Sequence, residues 1–191
     1  MAIRAILKYP DKRLRAPGKA VGEMTPEVQQ LVDDMAETMY AAPGVGLAAT
    51  QIGEPVRIFV LDLQQNEEEG GISGLEVFVN PEILERREEI VWEEGCLSFP
   101  GIHEEIHRDA WVRVRARDRS GASFELEASG LHAVAIQHEL DHLDGVLMVD
   151  RVSLLKRRFI HRKMLKWHAS TRAKDTEETG TAEESQGPPA L

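Results

Sequence analysis

The sequence predicts an α+β fold in which mixed or antiparallel strands surround a central metal-binding helix, with a further helix at the C-terminus. Two kinds of periodicity support this class. Five short runs are rich in Val, Ile and Phe, as strands are, and three longer segments repeat apolar residues at helical spacing. A chain of 191 residues, 42% of them hydrophobic, is long enough to form the core of one domain.

The N-terminal segment is basic, with six Lys or Arg residues and a single acid up to Lys19. An Arg-rich, acid-poor start is also typical of an organellar transit peptide, but this one has no serine, so we expect it to be retained and folded. Residues Tyr9 to Lys12 predict a turn. Thr25 and Pro26 then begin the first helix, as N-cap and first helical residue, and the helix runs to about Tyr40.

Strand-like runs follow this helix. Between the first two, residues Gln64 to Gly74 are acidic and rich in glycine, which predicts an exposed loop. The five predicted strands are Arg57 to Leu63, Leu75 to Asn80, Ile83 to Trp92, Trp111 to Ala116 and Ser123 to Ala128.

Two helices complete the predicted domain. Ser129 or Gly130 caps the second helix, which runs to about Leu143 and is apolar on two sides, so we expect it in the centre of the core. The third helix is predicted from Ser153 to His168. Residues 170–191 contain no aromatic residue and little but Thr, Glu, Ser, Ala, Gly and Pro, which predicts a disordered acidic tail after a catalytic domain of residues 1–169.

Composition excludes several classes of protein. No apolar stretch approaches the ~18 residues of a membrane span. The net charge of −10 argues against a general nucleic-acid binder. The single cysteine cannot form an internal disulfide, so nothing indicates an oxidising compartment. We therefore expect a cytoplasmic protein with no membrane segment.

Residues 138–142, His-Glu-Leu-Asp-His, match a pattern in which two histidines one helical turn apart bind a metal. At this composition, roughly 0.03 such matches are expected by chance. The alternative is a pair of buried histidines with ordinary hydrogen-bond partners. Because two neighbouring buried imidazoles would repel each other when both are protonated, the metal site is the favoured interpretation.

The motif by itself does not identify a third ligand. One metalloprotease pattern requires a histidine where Met148 stands, and another requires a downstream glutamate, but none occurs between Glu139 and Glu177. Cys96 suits a Cys-His-His set, although a buried or a nucleophilic cysteine would explain it too. The other candidates are His103, His107 and His132 upstream and Asp150, His161 and His168 downstream.

A third segment, residues 44–53, is rich in glycine and alanine and would permit close approach of the backbone. Gln51 within it could present an amide donor in a tight cavity. Taken alone, the segment predicts a turn in the core.

Together, these segments resemble the signature of the peptide deformylase family. They are Gly44 to Gln51, Glu94 to Ser98 and His138 to His142, in the family's order. The stretches Ile6 to Arg15 and His142 to Arg151 are also similar to bacterial members, so the resemblance covers roughly residues 3–168.

The resemblance implies a hydrolase that removes the formyl group from the N-terminal formyl-methionine of newly synthesised polypeptides and releases formate. It implies metal ligands at Cys96, His138 and His142, which hold one Fe(2+) per chain, with Zn(2+), Ni(2+) or Co(2+) as possible substitutes. By the same resemblance Glu139 is the general acid/base, and Gln51 and the Leu97 backbone N–H stabilise the oxyanion. The positions that match the methionine pocket are Val45, Gly46, Trp92, Leu131, Val134 and Ala135.

Two positions depart from the family pattern: His103 stands where many bacterial members have arginine, and Trp92 is bulkier than the usual aliphatic residue.

Residues 151–168 carry seven Lys or Arg and no acid. Such a basic amphipathic helix is by default a solvated cover of the core. The alternative is docking to ribosomal RNA near emerging chains.

Overall fold

The computed structural model describes residues 2–42, 44–63 and 74–183, with side chains to residue 172. All but the last residue of the predicted loop from Gln64 to Gly74 lies outside these ranges. The described strands form one antiparallel sheet in which each strand pairs with the next along the chain. They are β1 (Gly46–Ala48), β2 (Ile58–Leu61), β3 (Glu76–Gly95), β4 (His103–Arg117) and β5 (Ser123–Ser129).

β3 joins the two predicted strands, Leu75 to Asn80 and Ile83 to Trp92, across Pro81 and Glu82. The register of β3 against β4 shifts between Val79 and Glu82, which is a bulge. Asn80 has φ 53°, and its side chain bonds both backbone groups of Val21 at 2.8 Å. The bulge accommodates the proline within a continuous strand, so the predicted break was wrong.

β4 begins at His103, eight residues before the predicted start at Trp111. The added part, His103 to Ala110, is polar and has no strand signature of its own. It is a strand because it pairs along the end of β3, with Gly95 opposite His103. Within it, Ile106 and Arg108 face inward and are buried.

The first two helices begin and end close to their predicted bounds. α1 (Pro26–Ala41) is capped by Thr25, whose hydroxyl accepts the N–H of Val28 at 3.4 Å. α2 (Gly130–Leu143) contacts β1, β2, β4 and β5, as expected of a central helix. It is buried on both sides, with Ala133, Ile136 and Leu143 fully enclosed.

α3 (Leu154–Glu183) extends well beyond the predicted end at His168. The prediction relied on the inability of the last residues to bury apolar surface. However, Ala, Arg, Lys and Glu are good helix formers, and no proline follows until Pro188, so the backbone continues as a helix. Residues 184–191 lie outside the described part, and the division into a domain of 1–169 and a tail of 170–191 stays a prediction.

The buried apolar residues form three clusters. One fills the space between the sheet and α2, and another lies between α1 and the first three strands. The third joins the N-terminal turn, the segment after β3 and α3, and includes Phe99 and Cys96. Within the described ranges, none of the helices combines the length and the apolar character needed to cross a membrane.

Candidate metal centre

α2 and the segment after β3 bring three metal-ligating side chains together. The ligand atoms of Cys96, His138 and His142 all lie within 4.8 Å of one another. Cys96 Sγ lies 3.2 Å from His142 Nε2, and the two imidazole rings have centroids 5.1 Å apart. This is the one such group found among the residues that the structure describes. A thiolate and two imidazoles are a donor set that suits Zn(2+), Fe(2+) and similar ions.

The other candidate ligands are not part of this group. His103 is exposed at the start of β4, and His107 is exposed and bonds to Glu89. His132 Nε2 lies 3.1 Å from Glu76 Oε1. The downstream candidates likewise have partners away from the two α2 histidines: Tyr9 for His161 and His168, and Arg15 for Asp150.

His138 is oriented by a buried chain of charges. Its Nδ1 bonds Glu94 Oε2 at 2.7 Å, which leaves Nε2 for a metal. Arg108 binds both oxygens of Glu94, at 2.6 and 3.0 Å, and also binds Asp141 at 2.6 Å. Burial alone would raise the pKa of Glu94, but the hydrogen bonds from Arg108 and His138 lower it to about 2. Glu94 is therefore a carboxylate that holds the imidazole in one orientation.

The electrostatics of the two histidines suit a cation. Burial lowers the pKa of His142 well below its usual range, so this ring is the neutral imidazole that a metal requires. Burial also opposes protonation of His138, but the charge of Cys96 and the hydrogen bonds with Cys96 and Glu94 prevail and raise its pKa. The charges that favour a proton there would equally favour a divalent ion. His142 Nδ1 is buried and has no hydrogen-bond partner among the described residues.

Glu139 lies on the same helix, and its side chain is buried against β1. The space beside it exists because residue 46 is glycine: a Cβ there would lie 2.5 Å from Glu139 Oε1. Burial raises the pKa of Glu139 to about 7, and the charge of Glu94 adds to this against the opposing charges of His138 and Arg108. A carboxyl with this pKa can both accept and donate a proton near neutral pH.

Gln51 is fixed by a short helical turn, Ala49–Ile52, that follows β1. Its Oε1 accepts the N–H of Ala48 at 2.8 Å, so its amide nitrogen points the other way, toward Ser98 Oγ at 3.2 Å and Cys96 Sγ at 3.7 Å. The side chain is almost fully buried. The segment predicted as a core turn is thus a short strand followed by a turn that aims an amide donor into the site.

A cavity of about 520 Å³ opens beside these groups. Cys96, Leu97, His138, Glu139 and Gln51 line it, and His103 lies at its wall. The six residues proposed for the methionine pocket also line it: Val45, Gly46, Trp92, Leu131, Val134 and Ala135.

Sequence reasoning missed several residues of this site. Glu94 was noted only as part of the Glu-Gly-Cys motif, and Ser98, Asp141 and Lys8 were given no role. The one available signal was an acid two residues before a candidate ligand. The partners of that acid lie on β4 and α2, and only the fold brings them to it.

Comparison with known proteins decides the family. The model of the family described as polypeptide deformylase matches residues 3–158. The chain belongs to the peptide deformylase family. Its relatives include the peptide deformylase of Nitrobacter hamburgensis, 50% identical over 168 residues that cover 87% of this chain and 96% of the relative. The peptide deformylase of Afipia carboxidovorans is 52% identical over 167 residues, which cover 87% of this chain and 96% of the relative.

Solved structures of deformylases have the same fold. A peptide deformylase from Legionella pneumophila superposes with a TM-score of 0.83 at 44% identity, and the match covers 90% of this chain and 98% of the other. A deformylase from Ehrlichia chaffeensis in complex with actinonin gives a TM-score of 0.82 at 37% identity, and the match covers 87% of this chain and 98% of the other. The predicted family and the α+β class are confirmed, and the chain is a metal-dependent hydrolase of the deformylase type.

Proposed function

We propose that this deformylase removes the formyl group from the formyl-methionine at the N-terminus of newly synthesised polypeptides and releases formate. The observation that carries the proposal is the convergence of Cys96, His138 and His142 beside a cavity that Cys96, His138 and the buried Glu139 line. A structural metal site would need no carboxyl of raised pKa next to it.

The cavity suits a methionine side chain. Its apolar lining includes Leu131, Val134 and Ala135, which share one face of α2, and Val45. Apolar lining with a few polar groups at one end is typical of a pocket that binds a flexible apolar side chain and orients one reactive bond. The polar end holds Glu139 and Gln51.

The residues present fit a divalent ion held by Cys96, His138 and His142. When bound, this ion would act as a Lewis acid and supply a nucleophilic water at neutral pH. Glu139 would accept the proton released as water attacks the formyl carbon, and would return it to the leaving amide nitrogen of the methionine. Gln51 Nε2 and the Leu97 N–H would donate to the oxygen on which negative charge develops. The products are formate and a free amino terminus.

Product analysis tests the proposal against a peptidase. Metal-loaded protein is incubated with formyl-Met-Ala and, separately, with an unformylated peptide. Formate and intact Met-Ala are expected from the first, and no cleavage of the second. Release of free methionine from the unformylated peptide would instead identify a peptidase.

Metal content tests the ligand assignment. Cys96→Ala is expected to lose the ion, whereas Cys96→Ala protein with wild-type metal content would remove Cys96 from the ligand set. We propose Fe(2+) as the native ion on the family resemblance, with Zn(2+), Ni(2+) or Co(2+) as substitutes. Anaerobic purification followed by elemental analysis identifies the ion, and a predominance of another metal would refute the assignment.

The basic part of α3 supports a second proposal, contact with ribosomal RNA. Several of its charges already have partners, for example Lys156 with Glu104 and Arg157 with Asp150. Arg158, Arg162 and Lys166 are exposed at helical spacing and have no ion-pair partner in the described part of the chain. Leu155 and Phe159 on this helix are 75% and 59% exposed, so they do not join the core.

Binding to ribosomes tests this contact. Arg158→Glu combined with Arg162→Glu is expected to weaken co-sedimentation with ribosomes, and the wild-type interaction should weaken as salt rises. Lys12→Glu with Lys19→Glu is the control, because both lysines are exposed elsewhere. Equal binding by wild type and the α3 variant would refute the contact.

Since newly made formylated polypeptides are the proposed substrates, we infer a cytoplasmic location.

A further inference from the structure

The N-terminal segment ties the two sides of the site together. The N–H of Leu7 donates to the Gln51 carbonyl at 2.7 Å, and the N–H of Tyr9 donates to the Ser98 carbonyl at 3.0 Å. Between them, Lys8 Nζ donates to the Leu97 carbonyl at 2.5 Å. Three consecutive residues therefore link the segment that carries Gln51 to the one that carries Cys96 and Leu97.

The bond from Lys8 falls at the central peptide of a β-turn. The N–H of Phe99 donates to the Cys96 carbonyl at 2.8 Å, which closes a turn over residues 96–99. The central peptide of such a turn, here the Leu97 carbonyl and the Ser98 N–H, can point in either of two opposite directions, as it does in turns of types I and II. A donor held on the Leu97 carbonyl selects one of them.

The orientation of this turn matters to three groups of the site. Its first residue is the proposed ligand Cys96, and its second supplies the proposed oxyanion donor, the Leu97 N–H. The third residue, Ser98, accepts a hydrogen bond from Gln51 Nε2 at 3.2 Å, so it also orients the other donor. Rotation of the central peptide would move Ser98 and disturb the orientation of Gln51, whereas the Leu97 N–H belongs to the preceding peptide.

Lys8 occupies a costly position for a lysine. It is half-buried and lines the cavity, and none of the ion pairs among the described residues includes it. Burial lowers the pKa of Lys8, and the charge of Cys96 opposes this effect. Partial burial of an ammonium costs desolvation energy that an apolar side chain of similar length would not incur. Such a cost at the wall of an active cavity is typical of a functional residue.

We propose that Lys8 is a positioning residue of the deformylase reaction. Its hydrogen bond to the Leu97 carbonyl holds the turn of residues 96–99 in one conformation, and thereby keeps Ser98 where its hydroxyl orients the Gln51 amide toward the formyl oxygen. The inference rests on the proposed function, because it concerns the oxyanion donors of that reaction.

Steady-state kinetics with formyl-Met-Ala test the role. Lys8→Met removes the donor at similar length, and Lys8→Arg keeps it; Lys12→Met is the control on an exposed neighbour. Loss of a whole oxyanion donor costs about 10²–10³ in kcat, so misorientation of one in Lys8→Met is expected to lower kcat about tenfold. KM should stay within about twofold, because the donor acts on the transition state. Lys8→Arg should recover most of kcat, and Lys12→Met should match wild type.

Amide hydrogen exchange in the metal-free protein gives a readout independent of activity. The Phe99 N–H closes the turn, so Lys8→Met should raise its exchange rate about fivefold while α1 and α2 amides stay unchanged. Lys8→Arg and Lys12→Met should leave it at the wild-type rate. If Lys8→Met does not fold, Lys8→Leu, which also lacks a donor, is measured in its place.

The outcomes separate the two proposals. The role of Lys8 would be overturned if Lys8→Met had the kcat and the Phe99 exchange rate of the wild type. It would also be overturned if Lys8→Met and Lys8→Arg lost kcat equally. Either result would leave the proposed function intact. If the wild-type protein releases no formate, the proposed function fails and the positioning role fails with it.

Discussion

Glu139→Gln separates two effects of the buried carboxyl: the stability that its charge costs the metal-free protein and the proton transfer that it performs in the proposed reaction. Burial raises the pKa of Glu139 from the ordinary value of 4.5 to about 7 in the metal-free protein. Between these two values the folded state holds the proton more tightly than the unfolded chain, so the folded state loses stability as pH rises through that window. One pKa unit corresponds to about 1.4 kcal/mol, which gives a loss of about 3 kcal/mol by pH 8. The side chain is only 5% exposed, so solvent screening does not reduce this figure much.

Glutamine has no charge to bury, so the variant escapes this loss. Metal-free wild type and Glu139→Gln should have similar free energies of unfolding at pH 4.5, and the variant should be more stable by about 3 kcal/mol at pH 8. Urea denaturation followed by circular dichroism across this range measures the difference. The other titrating groups are present in both proteins, and among them His138 is the one whose contribution changes, because its charge interacts with that of Glu139.

The same substitution should abolish function. The metal-loaded variant is expected to keep its ion and to lose about 10²–10⁴ in kcat, the usual contribution of a general acid/base. Glu93→Gln is the control, because Glu93 also lines the cavity but is exposed. The difference in stability between wild type and Glu139→Gln could instead stay constant from pH 4.5 to 8. That result would show that Glu139 does not have the raised pKa.

Three further substitutions test how the site is built. Gly46→Ala places a methyl group 2.5 Å from Glu139 Oε1 and 2.7 Å from Leu61 Cδ2. The displaced carboxyl should lower kcat at least about tenfold, with the metal retained. A variant with the kcat of the wild type would show that the carboxyl is free to move. Arg108→Met leaves Glu94 bonded only to His138 and Asp141 paired only with Arg151. The loss of the Arg108 ion pair with the buried Glu94 should cost about 3–5 kcal/mol of stability and about 10–100-fold in metal affinity, measured by urea denaturation and competition with a chelator. Arg86→Met, at an exposed ion pair, is its control and should change little. Phe59→Ala removes a fully buried ring stacked on Phe78 and should cost about 3–5 kcal/mol with the site unchanged; a loss below 1 kcal/mol would contradict the packing.

Local rules predicted the helices well because their determinants are close in sequence. Thr25 and Pro26 define the start of α1, and the period of apolar residues defines which face it buries. The same holds for the pairing of His138 with His142, since residues four apart on a helix share a face whatever surrounds it. Two of the three candidate metal ligands therefore lie within five consecutive residues.

The strands were predicted less well because pairing, rather than local composition, determines them. The polar stretch from His103 to Ala110 is a strand because β3 lies beside it, and Asn80 and Pro81 are tolerated because a bulge absorbs them. α3 shows the opposite case, in which intrinsic helix propensity carried the backbone past the end of the buried stripe.

The sequence by itself determined the family, the two histidines on α2 and the candidates for a third ligand. The tertiary structure decided among those candidates. Cys96 and His138 are far apart in the chain, and only the pairing of β3 with β4 and the packing of α2 against the sheet bring thiol and imidazoles within 4.8 Å. Those same contacts place Glu94 and Arg108 behind His138 and bury Glu139 against Gly46. Helix geometry is a local property that a motif can encode, whereas the charge and burial around a side chain depend on elements that meet only when the chain is folded.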